Sequence, residues 1–217
     1  GFCLVGSERC IRDRLIGVND PSDFCQTTDD VNLHVTCFVN GQPDVGSEVG
    51  QADAIAQVDY GASGKAPVAA AEEVGSVWGL AYNPNRGEYY TSAFLKRHAG
   101  MGPSGPGGIY VSTGGGYSPL TTIPGLTVTA RPDLQNTLGQ DSVDFDAFAQ
   151  VGKRSLGDID FDEETNTLYV MNLEARQVEV ITINETTGAA TIGTPITMSD
   201  PGCNAGTGDF RPFALNF

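Results

Sequence analysis

The chain has 217 residues, with 27 Asp and Glu against 12 Lys and Arg, for a formal net charge of -15. That balance argues against nucleic acid or an anionic membrane surface as partner, since both need a positive footprint. No apolar run approaches the ~18 residues of a membrane-spanning helix. The 28 glycines and 12 prolines make up nearly a fifth of the chain, against a usual ~12%, and exclude a helical bundle or coiled coil.

Residues 1–73 are expected to form a Cys-rich N-terminal cap and linker. Cys3, Cys10, Cys25 and Cys37 fall in a stretch of weak periodicity. Cysteines clustered in this way are disulfide candidates that would staple a loop-rich cap. Three pairings are open, of which Cys3 with Cys10 and Cys25 with Cys37 is the most local. The ligand spacing of a zinc site is missing. Cys203 is left over, with a partner beyond this chain, in another subunit or among the N-terminal four. The opening Gly1-Phe2-Cys3 lacks an initiator Met and a charged n-region, as expected of a processed product or an excised fragment. These features place the chain in an extracellular, secreted setting. Asn184-Glu185-Thr186 adds a glycosylation triplet of low specificity.

Within this region Val31 to Val39 reads as a strand, because Val31, Leu33, Val35 and Cys37 alternate with polar residues. Asn40-Gly41 reads as a turn, and Ala54 to Tyr60 as a second strand. Residues 61 to 73 are small and polar and read as a linker.

From Trp78 the chain repeats itself. Leu80, Tyr82, Asn83, Tyr89, Tyr90 and Phe94 align without a gap on Ile159, Phe161, Asp162, Leu168, Tyr169 and Leu173. Both copies read as strand, polar turn, strand, with Asn83-Pro84-Asn85-Arg86-Gly87 and Asp162-Glu163-Glu164-Thr165-Asn166 as the turns. A third strand follows at Gly108 to Ser112 and at Gln177 to Ile183. The second copy adds a turn at Asn184 to Gly188 and a fourth strand at Ala190 to Ile196. Four antiparallel strands joined by short turns make one propeller blade.

Phe213 to Phe217 reopens the unit, with Phe217 in register with Phe161 and Tyr82 at spacings of 56 and 79 residues (217 − 161 and 161 − 82). Both exceed a typical ~40–45 residue blade, so insertions are implied, among them the acidic stretch Leu126 to Gln150. The expected fold is therefore all-β. It is a partial β-propeller over residues 74–217, with about two four-stranded antiparallel blades and the first strand of a third. The edge strand carrying Phe213, Leu215 and Phe217 is expected to be completed by the rest of a longer polypeptide or by a neighbouring subunit.

Gly75 to Pro84, Ala93 to His98 and Gly105 to Tyr110, with Cys25 and Thr36 to Gly41 before them, resemble large bacterial cell-surface proteins. Those proteins carry an extracellular β-propeller region, often followed by SdrD B-like modules. The resemblance covers about the whole chain. It implies secretion, a multidomain parent and a part in surface structure or adhesion, and it brings no catalytic residues.

Asp158, Asp160 and Asp162 share one strand face, with Glu163 and Glu164 after them. Carboxylates converging with turn carbonyls could hold Ca²⁺; the alternative is a solvated strand face. Asp141, Asp144 and Asp146 pose the same choice, the bland form being a surface insertion with its aromatics tucked down. Lys96-Arg97-His98 is the strongest basic run in an acidic chain. It could grip a carboxylate, a sulfated glycan or an acidic neighbouring subunit, or simply be an exposed turn. Trp78 reads either as a sugar platform or as an inter-blade residue. No nucleophile with a base emerges from the two histidines, and Gly61 to Ala66 lacks the residues of a phosphate loop.

The sequence thus points to a non-enzymatic extracellular structural or adhesive segment. Its contacts would be with subunits, glycans or calcium. The alternative is part of a propeller enzyme of the lactonase or quinone-dependent dehydrogenase type, whose site needs blades absent here.

Overall fold

The computed structural model describes residues 32–59, 64–202 and 210–215. It is all-β with antiparallel sheets. β1 (Asn32–Thr36), β2 (Asp53–Asp59) and β3 (Lys65–Ala70) form a three-stranded meander that leads into the short helix α1 (Ala71–Val74). β4 (Val77–Asn83), β5 (Glu88–Ala93), β6 (Gly108–Thr113) and β7 (Gly116–Thr122) form a four-stranded meander. After an irregular excursion with helix α2 (Phe145–Phe148) come β8 (Leu156–Asp162), β9 (Thr167–Asn172) and β10 (Gln177–Ile183). β11 (Ala190–Ile192) and β12 (Ile196–Thr197) both pair with β10.

The aligned turns share one geometry. Asn83 Oδ1 accepts from the amides of Asn85 and Arg86, and Asp162 Oδ1 accepts from those of Glu164 and Thr165. A short side-chain acceptor closes the turn on its own backbone, which is why Asn and Asp recur there. Four residues on, the chain must enter the left-handed region. Gly87 does so at φ 64° and Asn166 at φ 52°.

Apolar layers join the sheets. Ile55, Ala69, Val77, Tyr110 and Tyr117 fill the space between the first and second sheets. Ala81, Tyr90, Ile109, Ile159, Leu168 and Ile181 fill that between the second and third. Beyond the third sheet, Met171 and Val178 are covered by Met198, Phe213 and Leu215. At ~1.5–3 kcal/mol for each large side chain buried, these layers dominate the cohesion of the sheets.

Several expectations need correction. The stretch read as linker holds β3, a sheet edge whose Lys65 and Pro67 suit an unpaired margin. The described part of the region read as a Cys-rich cap is thus a β-meander. Cys37 has no other cysteine beside it among the described residues; Cys3, Cys10, Cys25 and Cys203, and with them the disulfide candidates, lie outside those residues. The fourth strand from Ala190 to Ile196 is split in two, because Pro195 has no amide to continue the ladder. β7 went unread because Pro119 sits inside it, which a sheet-edge strand tolerates. Phe145 and Phe148 are not tucked down: they are 78% and 73% exposed.

Candidate functional site

The feature that recurs in this molecule is the seam between successive sheets, where their first strands lie side by side. β1 adjoins β4, and Thr36 Oγ1 donates to Trp78 O at 3.2 Å. β4 adjoins β8 closely enough that a Cβ on Gly79 would meet Asp158 Oδ1 at 2.6 Å and Ile159 N at 2.8 Å. β8 in turn adjoins residues 213–215. Asp158 N donates to Phe213 O at 3.2 Å, and Leu215 N donates to Asp158 Oδ2 at 3.2 Å. The repeat alignment makes Gly79, Asp158 and Ala214 equivalent positions, and the structure lines up their segments in that order.

Polar side chains lock the seam from within. Ser92 Oγ donates to Gly157 O at 2.8 Å, and the buried Ser155 hydroxyl lies 2.9 Å from Ala93 O and 2.8 Å from Pro106 O. Buried hydroxyls must find acceptors, and these find backbone carbonyls of the neighbouring sheet or of the turn at Pro106 that leads into β6. At the far end of the second sheet, Arg86 forks onto Glu88 at 2.8 and 2.7 Å and reaches Glu185 O at 2.6 Å in the third. Tyr90 donates to Glu88 Oε2 at 2.9 Å, and burial first, with that bond, pushes its hydroxyl up to about 12.

Asp158, Asp160 and Asp162 alternate along β8 as the sequence suggested. Each carboxylate is engaged by local amides: Ile159 and Leu215 on Asp158, Phe161 on Asp160, Glu164 and Thr165 on Asp162. Among the described residues no group of three or more His, Cys, Asp or Glu converges as metal ligands would.

Lys96-Arg97-His98 holds the 126–150 excursion against the second sheet. Asp144 is the hub. It receives the His98 amide at 2.6 Å and forms an ion pair with Arg131, while Arg97 Nε donates to its carbonyl at 3.1 Å. Arg131 also donates to Lys96 O at 2.9 Å and Ala99 O at 2.7 Å. Burial opposes ionisation of Asp144, but Arg131 and the His98 amide outweigh it and hold the carboxyl below its ordinary value. Burial lowers the Lys96 ammonium, which stands 5.9 Å from the Trp78 ring centroid. Arg131 was not singled out by the sequence, since nothing local marks it as the partner of Asp144.

Trp78, half exposed, joins Phe94 and Phe213 in an aromatic cluster with centroids 5.4–5.7 Å apart. The cluster therefore bridges β4, the end of β5 and the segment after the third sheet. Phe213 and Leu215 are engaged beside β8, while Phe217 lies outside the described residues.

No known family model matches this sequence. The chain is similar to Colossin-D of Dictyostelium discoideum, with 30% identity over 154 residues, covering 68% of this chain and 16% of that protein. Colossin-C of the same organism is 26% identical over 192 residues, covering 79% of this chain and 18% of that protein. Colossin-A, also from Dictyostelium discoideum, is 27% identical over 205 residues, covering 88% of this chain and 2% of that protein. The chain thus spans less than a fifth of the length of each of these relatives. These eukaryotic proteins overturn the resemblance to bacterial cell-surface proteins drawn from Gly75 to Tyr110. A solved structure from Lactobacillus plantarum shares 13% identity at a TM-score of 0.42, covering 78% of this chain and 38% of that one. At that score the likeness carries no weight.

Proposed function

We propose that this chain is a structural, non-enzymatic segment of a larger extracellular protein, built as consecutive blades of a β-propeller. It works by stacking sheets onto those of a neighbouring segment or subunit. The observation that carries the reading is the seam, repeated from β1 to β4, from β4 to β8 and from β8 to residues 213–215. Side-by-side first strands with apolar layers between the sheets are the packing of propeller blades.

On this reading the first sheet is itself a blade. His34 stacks on Tyr89 and Thr36 bonds Trp78, so the alternate residues Leu33 and Val35 face away from the second sheet, at 46% and 42% exposure. An outward apolar sheet face of this kind suits a further sheet. The cysteine clustering and the acid excess support an extracellular setting.

Sedimentation equilibrium of the chain tests the reading. We expect concentration-dependent self-association that Leu33→Lys with Val35→Lys abolishes. A species that stays monomeric, or an association indifferent to both substitutions, contradicts it.

A further inference from the structure

We infer that Asn184 is the acceptor of an N-linked glycan, and that this glycan covers the outer edge of the third sheet. Asn184-Glu185-Thr186 is the only Asn-X-Ser/Thr triplet in the sequence. As a motif alone it is weak. The fold places it at the tip of the β10–β11 hairpin, where Asn184, Glu185, Thr186 and Thr187 are all exposed. A bulky, strongly hydrated substituent is compatible with a folded domain only at such a surface position.

The turn is fixed by bonds that leave the reacting atom free. Asn184 Oδ1 accepts the amides of Thr186 at 3.0 Å and Thr187 at 2.8 Å. The Asn184 amide donates to Ala189 O at 2.9 Å, and the Gly188 amide donates to Asn184 O at 2.7 Å. Arg86 reaches over from the second sheet to Glu185 O at 2.6 Å. These bonds use the Oδ1 atom and the main chain of Asn184. Its Nδ2 atom and the Thr186 hydroxyl enter no hydrogen bond among the described residues. Attachment at Nδ2 therefore breaks nothing the fold uses. In the transfer, Nδ2 forms a C–N bond to the anomeric carbon of an oligosaccharide carried on a lipid pyrophosphate. The C–O bond to the pyrophosphate breaks, and one amide proton leaves with that group. The inference rests on the extracellular reading above, because such a donor is met on the export route.

The position gives the glycan its role. β11 is the outer strand of its sheet, at the opposite margin from β8 and the seam. Ile192 and Ile196, on β11 and β12, are 40% and 53% exposed. An open strand edge with apolar side chains invites pairing with another chain. Ala189, bonded to Asn184, directly precedes β11. A glycan on Asn184 therefore stands beside this edge and leaves the seam clear.

The test is to express the whole chain in Dictyostelium discoideum cells behind a cleavable export signal. Glycans are released enzymatically in heavy-oxygen water, which labels the acceptor for peptide mass spectrometry. We expect the label on Asn184. Asn184→Gln and Thr186→Ala should abolish it, and Thr186→Ser, which keeps the hydroxyl, should retain it. Occupancy is scored on chain from the medium and from the cell membranes alike, so poor release counts against the extracellular reading and not against the acceptor. Thr186→Ala keeps the main-chain bonds of the turn, so it isolates the effect of the glycan. On heating it should scatter light several-fold more than the occupied chain. Adding Ile192→Lys with Ile196→Lys should restore low scattering, because charge also blocks an edge. An unlabelled Asn184 in the folded parent chain, or scattering unaffected by the glycan or by the lysines, overturns the inference.

Discussion

Leu215 donates its backbone amide to the Asp158 carboxylate at 3.2 Å, while the Asp158 amide donates to the carbonyl of Phe213, also at 3.2 Å. One residue of β8 therefore holds the next segment through both its side chain and its main chain. Asp158→Ala removes the acceptor and leaves a part-buried amide unpaired. We expect a loss of about 1.5–3 kcal/mol, the usual range for a hydrogen bond to a charged group. Asp158→Asn keeps an acceptor oxygen and should lose less. Urea unfolding of the two variants beside the parent chain measures the difference.

The closeness of β4 to β8 makes a second prediction. A Cβ at Gly79 would stand 2.6 Å from Asp158 Oδ1 and 2.8 Å from the Ile159 amide nitrogen, the latter fixed in the strand. Gly79→Ala should cost about 1–3 kcal/mol by forcing the two strands apart. Gly114→Ala is the control, since nothing lies within 4 Å of a Cβ there. It should be near neutral in the same thermal melt.

The Arg131–Asp144 pair is 6% and 1% exposed at its side chains and ties the 126–150 excursion to Lys96 and Ala99. Arg131→Met leaves a buried carboxylate without its counter-charge, for an expected loss of about 3–5 kcal/mol. The pH dependence has a definite sign. Burial raises the Asp144 pKa, but Arg131 and the His98 amide lower it more, so the folded value lies below the unfolded ~3.9. The stabilisation is full above the unfolded value and is lost as pH falls through the folded one. Asp144→Asn should lose this component, so the stability difference between parent and variant should shrink from pH 7 to pH 3. A gap that stays constant over that range contradicts this assignment.

Turn geometry yields a fourth expectation. Asn166 holds φ 52° where the aligned first copy has Gly87 at φ 64°. Asn166→Gly removes the side-chain penalty of that conformation and forfeits only an exposed 3.5 Å contact from Asn85. We expect stabilisation of a few tenths to about 1 kcal/mol. Gly87→Ala should destabilise by a similar amount, and paired denaturant curves will show both signs.

The internal repeat made the four-stranded architecture legible, because alternating apolar residues and Asx-type turns are local signals. The aligned pair Asn83 and Asp162 play one role in three dimensions, as their register implied. β3 and β7 stayed hidden because Pro67 and Pro119 break the strand pattern, and only their edge positions make them tolerable. The basic run Lys96 to His98 was conspicuous in sequence yet serves the fold, since Arg131 and Asp144, more than thirty residues on, draw it inward. The resemblance to bacterial surface proteins is overturned by the matches to Dictyostelium colossins.

Serial stacking of the sheets is tested most directly by amide hydrogen exchange of the intact chain. If residues 213–215 pack on β8 as the next first strand, the amides of Asp158 and Leu215 should be protected to a degree comparable with the interior of β8. Exchange of both at the rate of an unstructured peptide, with β8 still protected, would contradict the seam on which this account rests.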